Sequence, residues 1–282
     1  MAKYVLRRLM NLLAGLAIAY LVLLVLARVF ENQLIYLPDF PERKSGDWKP
    51  AGLPVEETWL RASDGVKLHA WWIPAPEAEF TFIAFHGNAG NITHRTDVFS
   101  FLHKLPANVL AVEYRGYGKS EGSPDESGLY LDAQAAWEYV VRERGIAPQR
   151  VIAFGQSLGT AVAADLATSR EVGGAVLEAP FPSVAAVAGH VYSFFPGITA
   201  LMKTKFATGE KLAARELPLL VVHCTRDAVI AFPLGEKVFE LARGPKWFFR
   251  VEGHCHEEAA FVAPAEYRSR LLEFLEEIRR SR

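Results

Sequence analysis

Eight short runs along the chain are apolar at every position or at every second one: 55–60, 66–73, 80–86, 108–114, 151–155, 174–178, 219–223 and 247–251. They are rich in β-branched and aromatic residues, so each predicts a strand. Between the later runs the period lengthens to that of a helix, at 124–143, 158–168, 234–242 and 264–280. Asp125 and Glu126 open the first of these stretches, and Arg279, Arg280 and Arg282 close the last. Both placements suit the helix dipole. Strands alternating with helices predict an α/β domain with a mostly parallel eight-stranded sheet covered on both faces. The first two strands have no helix between them, so the sheet is expected to open with an antiparallel pair.

Three segments break this rhythm. Residues 9–27 read LMNLLAGLAIAYLVLLVLA, in which Asn11 is the one strongly polar side chain. As a helix this stretch is about 28 Å long, close to the hydrocarbon thickness of a bilayer. Lys3, Arg7 and Arg8 precede it, and Arg28 follows. The excess of positive charge places the N-terminus in the cytoplasm and the remainder on the periplasmic or lumenal side, as a single-pass membrane protein. A cleaved signal peptide ending near Val25-Leu26-Ala27 and a buried core helix are the competing readings. The expected organisation is an anchor over 1–30, a connector over 31–54, and a catalytic domain over 55–282. Within the catalytic domain, 183–215 falls between two strands and is read as a short lid.

Composition narrows the classes. The chain has 282 residues, of which 51% are hydrophobic, and a formal net charge of −1. A sizeable core is therefore possible, and a nucleic-acid partner, which calls for a basic excess, is not expected. The two cysteines, Cys224 and Cys255, have no C-x-x-C spacing.

The chemistry concentrates in Gly155-Gln156-Ser157-Leu158-Gly159, a G-x-S-x-G word set between a predicted strand and a predicted helix. That is the context of a nucleophile elbow. The serine sits in a strained turn, and its neighbours two positions away must lack side chains to avoid crowding. A serine hydroxyl also needs a base, and the base needs an orienting acid. In chain order Asp227 follows one later strand, and His254 and His256 follow the next. All three lie past the C-terminal ends of strands, where ligands bind in open parallel sheets.

Several words together carry a resemblance. They are His86-Gly87-Asn88-Ala89-Gly90-Asn91, Tyr114-Arg115-Gly116-Tyr117-Gly118-Lys119-Ser120, Gly155 to Gly159, Glu178-Ala179-Pro180-Phe181, and the segments around Asp227 and His254. Over roughly 34–274 the chain resembles the N-terminally membrane-anchored, Bem-like group of α/β-hydrolase-fold serine hydrolases. The resemblance implies Ser157 as nucleophile, Asp227 as acid and His254 as base. It also implies an oxyanion hole made by the backbone N–H groups of Asn88 and Leu158. The glycine-bracketed loop after residue 86 presents backbone N–H groups on its own account.

Other candidates stay open. His256 is an alternative base or a rim histidine. Glu178 is an alternative acid or a structural carboxylate, the latter being preferred because the acid should come after the serine and near the histidine's loop. His86 reads as structural. Gly116-Tyr117-Gly118 is not a dinucleotide fingerprint, since the third glycine comes at the wrong spacing. His254, Cys255 and His256 lack a separate further ligand group for a metal. No cofactor and no metal are therefore expected. Cys224 and Cys255 stand where similar chains usually carry glycine and often asparagine. They adjoin the acid and the base, so a disulfide between them is one reading and two free thiols the other. The expected activity is cleavage of an ester or thioester of a small-molecule or lipid-like acyl substrate. An acyltransferase with the same residues and a catalytically silent scaffold are the alternatives.

Overall fold

The computed structural model describes residues 1–281; Arg282, read above with the last helix, lies outside the described residues. The strands are β1 (Glu56–Arg61), β2 (Lys67–Ile73), β3 (Phe80–Phe85), β4 (Ala107–Val112), β5 (Val151–Gln156), β6 (Gly174–Glu178), β7 (Leu219–Cys224) and β8 (Lys246–Val251). They form one sheet in the order β1-β2-β4-β3-β5-β6-β7-β8. β2 runs antiparallel to both of its neighbours, and every pairing from β4 to β8 is parallel.

The helices are α1 (Ala2–Val29), α2 (Glu31–Ile35), α3 (Thr96–His103), α4 (Glu126–Glu138), α5 (Leu158–Ser169), α6 (Val184–Val191), α7 (Ile198–Leu201), α8 (Thr208–Ala214), α9 (Phe232–Leu241), α10 (Ala259–Val262) and α11 (Pro264–Arg280). A single π-helical turn, Tyr139–Glu143, prolongs α4. Alternate residues of the central strands enter two different cores. Phe82 and Ala84 pack with Phe99 of α3 and Phe274 of α11. Ile83 and Phe85 pack with Leu129 of α4 and Val162 of α5. Cover on both faces is why these strands read as continuous apolar runs rather than as a half-polar alternation.

α1 is, among the described residues, the one helix long and apolar enough to cross a membrane. Most of its apolar side chains are exposed, including Leu9, Leu13, Leu16 and Leu23. Tyr20, Leu24, Ala27 and, beyond the helix end, Glu31 are covered. Their spacing of three or four residues marks one helical face turned to the domain.

The segment after α2 is part of the site's scaffold. The Leu37 N–H donates to the Asn88 carbonyl at 3.0 Å, and the Gly90 N–H donates to the Phe40 carbonyl at 2.8 Å. The Asn88 amide nitrogen donates to the Ile35 carbonyl at 3.1 Å. The chain leaving α1 is thereby bonded to the loop that follows β3.

Candidate active site

Ser157 sits between β5 and α5 with φ at 49° and ψ at −117°. A positive φ is uncommon for a residue with a side chain and marks a strained turn held by its surroundings. Both glycines of the pentapeptide have a visible reason. A β-carbon on Gly155 would overlap the Gly159 carbonyl, and one on Gly159 would overlap the Phe85 carbonyl. The Ser157 N–H donates to the Glu178 carbonyl at 2.9 Å, and the Ser157 carbonyl accepts from the Thr160 hydroxyl at 2.6 Å. The turn is thus tied to β6 on one side and to the first turn of α5 on the other.

Asp227 lies in the loop after β7 with its carboxylate fully buried. Its Oδ2 accepts from His256 Nδ1 at 2.7 Å and lies 3.3 Å from His223 Nε2. Its Oδ1 accepts from the N–H groups of Val229 and Ile230 at 2.8 and 3.0 Å. Burial alone would raise this carboxyl's pKa. Hydrogen bonds from His223 and His256, the His256 charge and the Val229 N–H override it and hold the group well below the usual carboxylate range. Burial likewise tends to lower the pKa of His256, but the Asp227 hydrogen bond and charge prevail, and the imidazole sits above its ordinary value. With Nδ1–H committed to Asp227, the proton-accepting nitrogen is Nε2.

The expectation of His254 as base is corrected here. His254 is exposed, and the imidazole on Asp227 belongs to His256. The loop carrying both is pinned at its start, where the Thr225 and Arg226 N–H groups donate to the carbonyls of Val251 and Gly253 at 2.9 and 3.0 Å. Cys224 and Cys255 form a disulfide with 5.5 Å between their Cα atoms. The bond ties the two loops together, and the residue after Cys255 is the one that meets the acid.

Gln156, the residue before Ser157, brings the serine and the histidine loops together. Its Nε2 donates to the Glu257 carbonyl at 3.1 Å and to Glu178 Oε2 at 3.0 Å. Glu178 Oε1 accepts from the Ala259 N–H at 3.0 Å. Glu178 therefore supports the histidine loop from beneath, and its burial pushes the carboxyl up to about 8. Arg95 pairs with Glu257 at 2.9 Å on the other side of the same loop. Among the described residues, no hydrogen bond joins the Ser157 hydroxyl to His256; such bonds often tighten only with substrate bound.

Leu158 is the first residue of α5, so its N–H has no acceptor within the helix. The Asn88 carbonyl takes the Leu37 N–H and the Tyr117 hydroxyl, the latter at 2.8 Å. Those bonds and the Ile35 contact fix the Asn88 peptide. Among the described residues, neither the Asn88 nor the Leu158 N–H is spent on another hydrogen bond. His86 is buried, with Nε2 3.2 Å from Glu113 Oε1 and Nδ1 2.7 Å from the Gly87 carbonyl, which is a structural placement.

Asn88, Ser157 and Leu158 open into a cavity of about 620 Å³, within the usual range for a small-molecule site. Its other walls come from α1, α2, the loop after β7 and the segment 181–202, and they are overwhelmingly apolar. The Arg28 and Glu31 pair is the ionic part of the lining. Sequence reasoning missed the contribution of α1 and α2. The same apolarity that reads as a membrane segment hides the one stripe of α1 that faces protein. Among the described residues, no cluster of side chains has the make-up of a metal site.

Comparison with known proteins identifies relatives of the chain. A family model described as serine aminopeptidase, S33, matches residues 76–208, a span that includes the elbow and ends before Asp227. The α/β-hydrolase domain-containing protein WAV2 of Arabidopsis thaliana is 35% identical over 236 residues, covering 77% of this chain and 76% of its own. The YfhR protein of Escherichia coli strain K12 is 32% identical over 268 residues, covering 92% of this chain and 91% of its own. Among solved structures, an esterase of Pyrococcus furiosus superposes with a TM-score of 0.68 at 23% identity, covering 84% of this chain and 96% of that one. That last likeness concerns the fold.

Proposed function

The chain belongs to the α/β-hydrolase family, and from that premise we propose that it is a membrane-anchored serine hydrolase that cleaves an acyl ester or thioester. The observation that carries this reading is the 2.7 Å pair of His256 and Asp227, on a loop that Gln156 ties to the Ser157 elbow. In the proposed reaction the Ser157 hydroxyl attacks the acyl carbonyl carbon while His256 Nε2 takes its proton. The carbonyl oxygen becomes an oxyanion held by the N–H groups of Asn88 and Leu158. The bond to the leaving oxygen or sulfur breaks as His256 returns the proton to it. Water, activated by the same imidazole, then frees the acid and restores Ser157.

The lining argues for an acyl group over a peptide amine. An aminopeptidase needs a free carboxylate to hold the substrate's ammonium group. Among the described residues the carboxylate lining the cavity is Glu31, and it is already engaged by the N–H groups of Lys203 and Thr204 and by Arg28. We place the catalytic domain on the periplasmic or lumenal side, with α1 as the membrane span, on the charge asymmetry around α1. The test is hydrolysis of p-nitrophenyl acyl esters by the full-length protein and by Ser157→Ala. Turnover that disappears in the variant supports the reading, and equal turnover by both sinks it. Adding an alcohol acceptor and assaying for transferred acyl product separates hydrolysis from acyl transfer.

A further inference from the structure

The cavity above Ser157 is shared between the domain and the N-terminal helix. Leu23, Leu24 and Ala27 of α1 form one wall, and Phe194 and Phe195 of the segment joining α6 to α7, with Ile198 of α7, form another. The two walls touch: the Tyr20 hydroxyl donates to the Pro196 carbonyl, and the Tyr20 and Phe195 rings lie 4.8 Å apart. Below this contact, Glu31 accepts the Lys203 N–H at 3.0 Å and the Thr204 N–H at 2.6 Å. The middle of the lid is therefore fastened to α1 at Tyr20 and to the start of α2 at Glu31.

The position of Tyr20 along α1 sets the depth of that contact. Arg7 and Arg8 mark one end of the apolar stretch and Arg28 the other, and the intervening residues match the hydrocarbon thickness. Tyr20 lies seven residues before Ala27, so it sits about 10 Å inside the apolar stretch. A lid bonded to Tyr20 shares that depth. Its surface fits such a place: Phe194 is 77% exposed, Tyr192 and Val191 are 45% exposed, and Leu201 is 42% exposed. Left in water these would form an apolar patch that calls for an explanation. At hydrocarbon depth the Tyr20 hydroxyl also has the partner that the medium would not supply.

Resting on the hydrolase reading, we propose that α1 is a wall of the acyl-binding site, and that a fatty-acyl ester of a membrane lipid reaches Ser157 sideways from the adjoining leaflet. The chain lies along Leu23, Leu24 and Ala27 beneath the lid, and the ester carbonyl meets Ser157 at the inner end of the cavity. The N-terminal helix then sets which chains fit, besides holding the enzyme at the membrane.

The experiment uses the full-length protein in phosphatidylcholine–phosphatidylglycerol vesicles and a dodecyl fluorophosphonate carrying a diazirine at the far end of its chain. After irradiation the crosslinked residues are mapped by mass spectrometry. Probe attached at Ser157 and crosslinked within 20–27 and 191–201 is the expected result. Probe at Ser157 with crosslinks elsewhere overturns the inference and leaves the hydrolase reading standing. No probe at Ser157 overturns the hydrolase reading, and the inference with it. In a second measurement, Leu24→Trp lowers the ratio of kcat/KM for dodecanoyl over acetyl esters by about tenfold or more. Leu23→Trp, at an exposed position that tolerates bulk, reads the same ratio should the first variant fold poorly. An unchanged ratio in a folded variant contradicts the proposal.

Discussion

Asp227 carries more hydrogen bonds than orientation of one imidazole requires. Two backbone N–H groups and His256 hold it, with His223 Nε2 close by, which keeps the carboxylate ionised and fixed, as the proposed role of His256 as base requires. Because the Asp227 charge raises the His256 pKa above the ordinary 6.5, and the base must be neutral to act, kcat/KM is expected to rise with pH through a midpoint above 6.5. In Asp227→Asn that midpoint moves down, and the rate at pH 8 falls by an amount on the order of 10⁴-fold, as in serine proteases that lose the triad acid. A pH–rate profile of both proteins checks this, and a midpoint that stays put in the variant contradicts it. The turn at Ser157 and the place of Asp227 in a loop after a strand were legible from the strand–turn–helix context and from chain order. The choice between His254 and His256 was not. They lie two residues apart, and only the path of the loop around Cys255 decides which one faces the acid.

The elements explain why some of the fold is easy to read and some is not. Every strand falls within two residues of its apolar run, and for the central strands the reason is burial on both faces, which leaves little room for polar residues. α3 was missed, since a helix of eight residues carries too few turns for its period to stand out. The exchange of β3 and β4 in the sheet order was not legible either, as both strands are equally apolar. Two element-scale predictions follow from contacts across loops. The disulfide closes a loop with a sequence separation of 31, worth about 3–4 kcal/mol by chain entropy. Replacing both cysteines with alanine should lower stability by that order in denaturant unfolding. A thiol count on the denatured, unreduced protein should find no free thiol. In α9, a β-carbon on Gly235 would overlap the His223 ring. Gly235→Ala should therefore cost about 1–3 kcal/mol of stability, and by shifting His223 it should lower kcat/KM. Wild-type values of both would show that the ring has room to move.

For the whole molecule, α1, the residues 31–54 and the segment 183–215 meet as one assembly around the serine. α1 touches the segment 183–215 at Tyr20, the start of α2 touches it at Glu31, and the residues after α2 hold the Asn88 loop. A sequence reading separates these into three segments, because each is defined by its own composition. Their meeting point depends on tertiary packing, which composition does not encode. On the proposed membrane placement, Phe194→Asp puts a charge at hydrocarbon depth and is expected to lower the rate on an ester embedded in vesicles more than the rate on a short soluble ester. Equal losses on both substrates would place the lid outside the membrane.

Labelling with a short-chain fluorophosphonate tests the central claim most directly, applied to the wild type, Ser157→Ala, His256→Ala and His254→Ala side by side. The account predicts labelling of the wild type and of His254→Ala, with loss in Ser157→Ala and in His256→Ala. Labelling that survives in His256→Ala and disappears in His254→Ala would contradict the pairing of His256 with Asp227 as the catalytic one.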